Sequence, residues 1–162
     1  MKMKRFAATS GLLALTLTAA MTTAQPAGAE TAGAEHCALN SASGEQACFA
    51  TFTEAVTYAS HGRFTAAGDV IQGTFFDNRD YGGDSLTIWG PKPCVKDGKV
   101  NWQHDLEDGW KNRISSAQAW GNCWLWLYPE PNLGGERDGP FKENAAWVGE
   151  MLDDRTQSIG FS

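Results

Sequence analysis

Oxygen donors at fixed spacing are the first chemistry this chain offers. Two segments, Lys111-Asn112-Arg113-Ile114-Ser115-Ser116 and Asp153-Asp154-Arg155-Thr156-Gln157-Ser158, run through short polar side chains to a closing serine. Such loops can close their own turns by side-chain hydrogen bonds. Their hydroxyls, carboxylates and carbonyls are also the hard donors that Ca²⁺ takes. A different chemistry is offered by Lys92, Pro93, Cys94, Val95 and Lys96, followed by Asp97-Gly98. Two prolines and a bonded cysteine would hold this segment rigid and exposed, which lowers the entropic cost of entering a peptidase cleft. An ordinary stapled insertion has the same composition. His104 with Asp105, Glu107 and Asp108 has the groups for acid–base work, although a solvated loop rim reads alike. The sequence contains no nucleophile elbow, phosphate loop, HExxH or dinucleotide fingerprint, so an enzyme is not expected.

Cys37, Cys48, Cys94 and Cys123 are too scattered for a zinc site, with no CxxC and with His36, His61 and His104 far apart in sequence. Four cysteines allow three disulfide connectivities. Cys37–Cys48 would close a small polar loop, and Cys94–Cys123 would join an insertion to a strand; this pairing is preferred. Seven tryptophans could supply a stacking platform for sugar rings, but a small β domain needs most of them as core. Trp102, in a polar segment, is the expected exception.

Upstream of each polar loop lies an element that must position it. Phe76-Asp77-Asn78-Arg79-Asp80-Tyr81-Gly82-Gly83 and Tyr128-Pro129-Glu130-Pro131-Asn132-Leu133-Gly134-Gly135 share an aromatic residue, a four-residue spacer, a large apolar residue, any residue and glycine. Glycine at 83 and 135 fits a bend that needs positive φ. Strands are expected at 70–76, 85–89, 114–120, 123–128 and 147–152 from β-branched and aromatic runs bounded by turn residues. In 123–128 both faces are apolar, so that strand should be covered on both sides. The first copy is longer than the second, and its excess falls in 91–105. Thr51 and Glu54 form a capping box for a helix over about 52–60, with an apolar stripe of Phe52, Ala55, Val56 and Ala59 and a stop at Gly62.

The amino terminus reads as an export signal over 1–29: Lys2, Lys4 and Arg5, an apolar run, then Ala27-Gly28-Ala29. Its removal would change the formal charge from −6 to −9, as three basic and no acidic residues leave. That acidity argues against nucleic acid and anionic membranes as partners. Residues 30–47 are expected to be a tethered, mobile leader; with the short helix, expected to pack on the β domain, they make up 30–69, and the β domain covers 70–162.

The paired hairpins and loops resemble the βγ-crystallin superfamily, whose Greek keys combine an aromatic-x4-aromatic-x-Gly hairpin with an (Asn/Asp)-(Asn/Asp)-x-x-(Ser/Thr)-Ser loop. The resemblance covers about residues 70–162. It implies an all-β, two-Greek-key, βγ-crystallin-like β-sandwich, with keys at about 70–120 and 121–162, here with a short N-terminal helix and two disulfides. It also implies Ca²⁺ sites, each pairing the loop of one key with the hairpin of the other. One would use the Arg113 carbonyl, the Ser115 hydroxyl and a carbonyl near Pro131. The second would use the Arg155 carbonyl, the Gln157 amide oxygen and a carbonyl near Arg79. Lys111 and Gln157 depart from the loop pattern.

Three functions are therefore expected to compete. The first is a secreted, non-catalytic, monomeric βγ-crystallin-like protein that is weakly Ca²⁺-binding or merely robust. The second is a secreted peptidase inhibitor acting through the Cys94 loop, since some small bacterial metalloproteinase inhibitors are similar in having a disulfide-stapled βγ-like fold. The third is a killer-toxin-like or carbohydrate-binding module.

Overall fold

A computed structural model of the protein describes residues 33–60 and 69–162. The expected export signal, its cleavage site and the helix stop at Gly62 lie outside these residues. Among the described residues there are nine strands and one α-helix: β1 (His36–Asn40), β2 (Gln46–Phe49), α1 (Phe52–Ala59), β3 (Val70–Phe76), β4 (Ser85–Gly90), β5 (Trp102–Asp105), β6 (Ser116–Ala119), β7 (Leu125–Tyr128), β8 (Asp138–Phe141) and β9 (Ser158–Phe161).

They form two sheets, β2-β1-β4-β3-β6 and β5-β9-β7-β8. The inner faces pack Phe75, Leu86 and Ile88 against Leu125, Leu127, Ile159 and Phe161, all at most 2% exposed. Phe75 and Phe161 meet edge to face at 6.2 Å. The third strand of the first key, β5, pairs with β9 of the second key, not with its own neighbours. Reciprocally, Ala145 of the second key bridges Ala117 in β6 of the first. Two Greek keys that cross over, the first lending β5 to the second sheet and the second bridging back through Ala145, define a βγ-crystallin-like sandwich.

Two expectations about strands are corrected. Residues 147–152 form no strand, because turns occupy 150–152; Val148 and Leu152 are buried in the core and Met151 packs on its edge. The segment 91–105 is not wholly an insertion loop, since its end is β5. There Trp102 stacks on Phe161, with centroids 3.8 Å apart and planes 6° from parallel, so it is not the exposed tryptophan. Trp120 and Trp147 are the exposed ones.

The expected leader is also corrected. From residue 36 it is a hairpin, with β1 running parallel to β4 and antiparallel to β2. Small residues hid this strand: Cys37, Ala38 and Leu39 are fully packed, but only Leu39 is large. Their smallness lets α1 close over the sheet, with Ala55 and Ala59 seated against Ala38 and Trp89. The Thr51–Glu54 capping box is formed at both its bonds. Disulfides join Cys37 to Cys48 and Cys94 to Cys123.

Candidate functional site

The duplicated corners adopt the same backbone twice. Asp80 and Tyr81 (φ 56° and 62°) repeat as Asn132 and Leu133 (55° and 59°), and Gly83 (75°) repeats as Gly135 (79°). Asn112 (58°) in the first loop repeats as Asp154 (54°) in the second. Short side chains that can bond their own backbone tolerate this left-handed region best, which is why the loops carry Asn and Asp there. Ser116 donates to the Asn78 carbonyl at 2.6 Å and accepts from the Tyr81 N–H at 3.0 Å. Ser158 does the same with Glu130 and Leu133, at 2.6 and 3.0 Å. Each closing serine therefore pins its own hairpin.

The keys also interlock. Asn112 N–H donates to the Thr156 carbonyl and Asp154 N–H to the Ile114 carbonyl. The carbonyls of Ser115 and Gln157 accept from Val148 and Leu106 respectively, each in the opposite key. Of the residues expected to face an ion, Ser115 and Gln157 are engaged here through their backbone carbonyls, not through the side-chain oxygens expected as ligands.

Around the first hairpin, expected and observed partners partly agree. Arg79 does reach the second loop, but by its guanidinium, which donates to Asp153 Oδ2 at 2.7 Å. It lies over the Trp147 ring at 4.2 Å, and the Trp147 indole N–H donates to the same oxygen at 2.8 Å. Asp153 Oδ1 is buried without a partner. Burial opposes ionisation of this carboxyl, and hydrogen bonding from Ser115, Arg79 and Trp147 outweighs that and holds its pKa below the ordinary value. The Ser115 hydroxyl lies near it, although its well-formed bond goes to Asp154. Ser115 turns its hydroxyl to Asp154 Oδ1 at 3.3 Å, not to the Pro131 turn. The Pro131 carbonyl accepts from Gly134. Arg155 is exposed, its N–H closing a turn on the Leu152 carbonyl.

Cations of the chain itself occupy the other corner. Lys111 pairs with Asp108 at 2.6 Å. Arg113 bridges Asp77 and Asp84 within the first key, at 2.8 and 2.6 Å, and lies 5.0 Å over Trp110. In the acidic cluster, Asp105 accepts the Asn132 N–H at 2.8 Å, and burial lowers the pKa of His104 despite nearby Glu107 and Asp105.

The segment 91–98 crosses the surface between β4 and β5. Lys92, Pro93, Val95 and Lys96 are exposed, Val95 at 70%, while Cys94 between them is 7% exposed and bonded to Cys123. Cys94 N–H donates to the Gly121 carbonyl at 3.0 Å. The Asn122 amide donates to the Cys94 carbonyl at 3.3 Å, and the Gln72 amide to the Lys92 carbonyl at 3.0 Å. Past Lys96, which has φ 60°, Asp97 accepts the Lys99 N–H at 3.0 Å. A groove of about 510 Å³ runs beside the segment, lined among others by Ser41, Gln72, Pro93, Val95 and Trp102. The sequence singled out residues 92–96; it gave no sign of Gln72, which lies 20 residues upstream of Lys92 and reads as an ordinary polar residue in a strand.

Neither a protein-family model nor a curated protein matches the sequence. Among solved structures, the chain is similar to a βγ-crystallin domain from Clostridium beijerinckii, with 18% identity, 56% of this chain and 95% of that one covered, and a TM-score of 0.44. It is similar to a βγ-crystallin domain from Flavobacterium johnsoniae at 19% identity, 56% and 92% coverage and a TM-score of 0.42. The N-terminal domain of protein S gives 20%, 56%, 94% and 0.43. These are likenesses of fold; the βγ-crystallin-like class rests on the crossing of β5 into the second sheet and the duplicated corners.

Proposed function

We propose that the protein is a secreted, non-catalytic peptidase inhibitor whose binding segment is Lys92–Pro93–Cys94–Val95–Lys96. The observation that carries this reading is an exposed Val95 next to a buried, disulfide-bonded Cys94, in a segment tethered at Lys92 and Cys94. A peptidase cleft takes an extended run of a few residues, and a run already held in place loses less conformational entropy on binding. Val95 offers an apolar anchor for a specificity pocket. Lys92, Lys96 and Lys99 against Asp97 make the segment locally basic on a chain of net charge −6, which suits a cleft with acidic walls. Two disulfides accord with an oxidising, extracellular compartment.

The test is titration of the disulfide-intact protein against extracellular metallo-, serine and cysteine peptidases. We expect stoichiometric inhibition of one class, with metallopeptidases the first to try. Val95→Asp should weaken it by about a hundredfold, as an unpaired charge enters an apolar pocket, with unchanged thermal stability. Failure to inhibit any class would dismiss the reading.

A second reading, a weak Ca²⁺ site at the first corner, is favoured by one observation. Buried Asp153 Oδ1 lacks a partner within reach of a hydroxyl-bearing loop. Asp153, the Ser115 hydroxyl and a carbonyl of the first hairpin are the hard oxygen donors that would hold the ion, which would supply charge neutralisation and rigidity. Arg79 already supplies part of that charge.

A further inference from the structure

We propose that Gln72 is the positioning residue of the 92–96 segment, coupling it to the β1–β2 turn; this rests on the inhibitor reading above. Gln72 is 3% exposed and both ends of its amide are used. Nε2 donates to the Lys92 carbonyl at 3.0 Å, and Oε1 accepts from the Ser41 hydroxyl at 3.1 Å. A long polar side chain buried in a strand costs stability unless satisfied, and here both halves are satisfied by loops, not by the sheet.

The backbone is arranged to aim it. The β3–β4 register shifts between Ile71 and Gly73, so Gln72 is the extra residue of a β-bulge, a device that redirects a side chain. Gly90 lies opposite, where a Cβ would stand 3.0 Å from Oε1 and 3.1 Å from Nε2 and would also collide with the Ser41 hydroxyl. The Gln72 carbonyl accepts from Trp120 N–H at 3.1 Å, at the start of the turn whose Gly121 carbonyl holds Cys94 and whose Asn122 holds the Cys94 carbonyl.

Tethers thus form a closed ring from Gln72 through Lys92, Cys94 and the 120–123 turn back to Gln72. The disulfide fixes the ring at Cys94; the Gln72 amide fixes it at Lys92. With the chain held at Lys92 and Cys94, the amino-terminal side of a cut beyond Cys94 cannot swing out of the cleft, which slows completed cleavage and release. Gln72 therefore governs how long the segment survives in a cleft more than how well it first fits.

The test compares wild type with Gln72→Met, which keeps the side-chain length and loses both bonds, and Gln72→Glu, which keeps the acceptor for Ser41 and loses the donor to Lys92. Backbone amide exchange is read at Val95 and Lys96 and, as reference, in β7 and β9. Cleavage of the 92–96 segment by the peptidase is followed by mass spectrometry. We expect roughly tenfold faster exchange and cleavage in both variants, the loss of one hydrogen bond, with reference amides unchanged. Gln72→Glu should retain wild-type exchange in the β1–β2 turn. Segment exchange equal to wild type in the folded variant, or loosened only in step with the reference amides, would overturn the proposal. Should Gln72→Met not fold, Gln72→Glu decides. If the wild-type protein inhibits no peptidase, the function fails, while amide exchange still decides the role of Gln72.

Discussion

Asp153 shows how a cation of the chain itself can occupy a loop carboxylate. Its carboxylate accepts from Arg79 and Trp147 through one oxygen, while the other is buried without a well-formed hydrogen bond, near the Ser115 hydroxyl. A guanidinium on a loop carboxylate competes with a divalent cation for the same charge, and the pair is partly exposed, so its own contribution to stability is small. Weak residual binding of millimolar affinity would add about 0.4 kcal/mol at millimolar Ca²⁺, a melting shift of one or two degrees. We expect that small rise when CaCl₂ replaces EDTA, a larger rise in Arg79→Ala and none in Asp153→Asn. Equal melting in EDTA and CaCl₂ for all three proteins would leave the corner purely structural.

Each Greek-key corner depends on a serine that makes the same two hydrogen bonds to its own hairpin. Both serines are fully buried, so removing either hydroxyl leaves a carbonyl and an N–H without partners. Ser116→Ala and Ser158→Ala should each cost about 2 kcal/mol by denaturant unfolding, and by similar amounts, because the two elements are structural repeats. Widely different costs would show that the corners are not equivalent in energy. The same hydroxyls, read in sequence, are the end of a calcium-loop pattern. Their packing role needs no ion, since both serine hydroxyls are fully used by the hairpins.

At the scale of the molecule, the sandwich is held by crossing the keys over one another. β5 belongs in sequence to the first key and in space to the second sheet, so neither key has a complete sheet of its own. The Cys94–Cys123 bond spans this crossing, linking the β4–β5 connection to the entry of β7, with a sequence separation of 29. Closing a loop of that length restricts the unfolded chain by about 3–4 kcal/mol. The Cys94→Ser/Cys123→Ser double variant should lose about that much stability in denaturant titrations. It should also lose inhibition, since the 92–96 segment would keep only its Gln72 and backbone tethers. Retained inhibition in a folded double variant would count against rigidity as the source of binding.

The sequence by itself determined the local geometry: the duplicated hairpins with Gly83 and Gly135, the Asn/Asp–Ser loops, the capping box at Thr51 and the strands around Phe75 and Leu125. These follow from steric limits on φ, from side chains bonding their own backbone and from the alternation of a strand, all of which act within a few residues. Only the tertiary structure decided the rest. The strand at His36–Asn40 is made of small residues whose burial depends on β4 and α1, so no local pattern marks it. The run at 147–152 is apolar because Val148 and Leu152 are core, not because it is extended. Arg79 met Asp153 across 74 residues and Gln72 met Lys92 across 20, through a crossing of keys and a bulge. Such contacts are set by the relative placement of whole elements, and a linear pattern carries no record of which distant side chain will stand opposite.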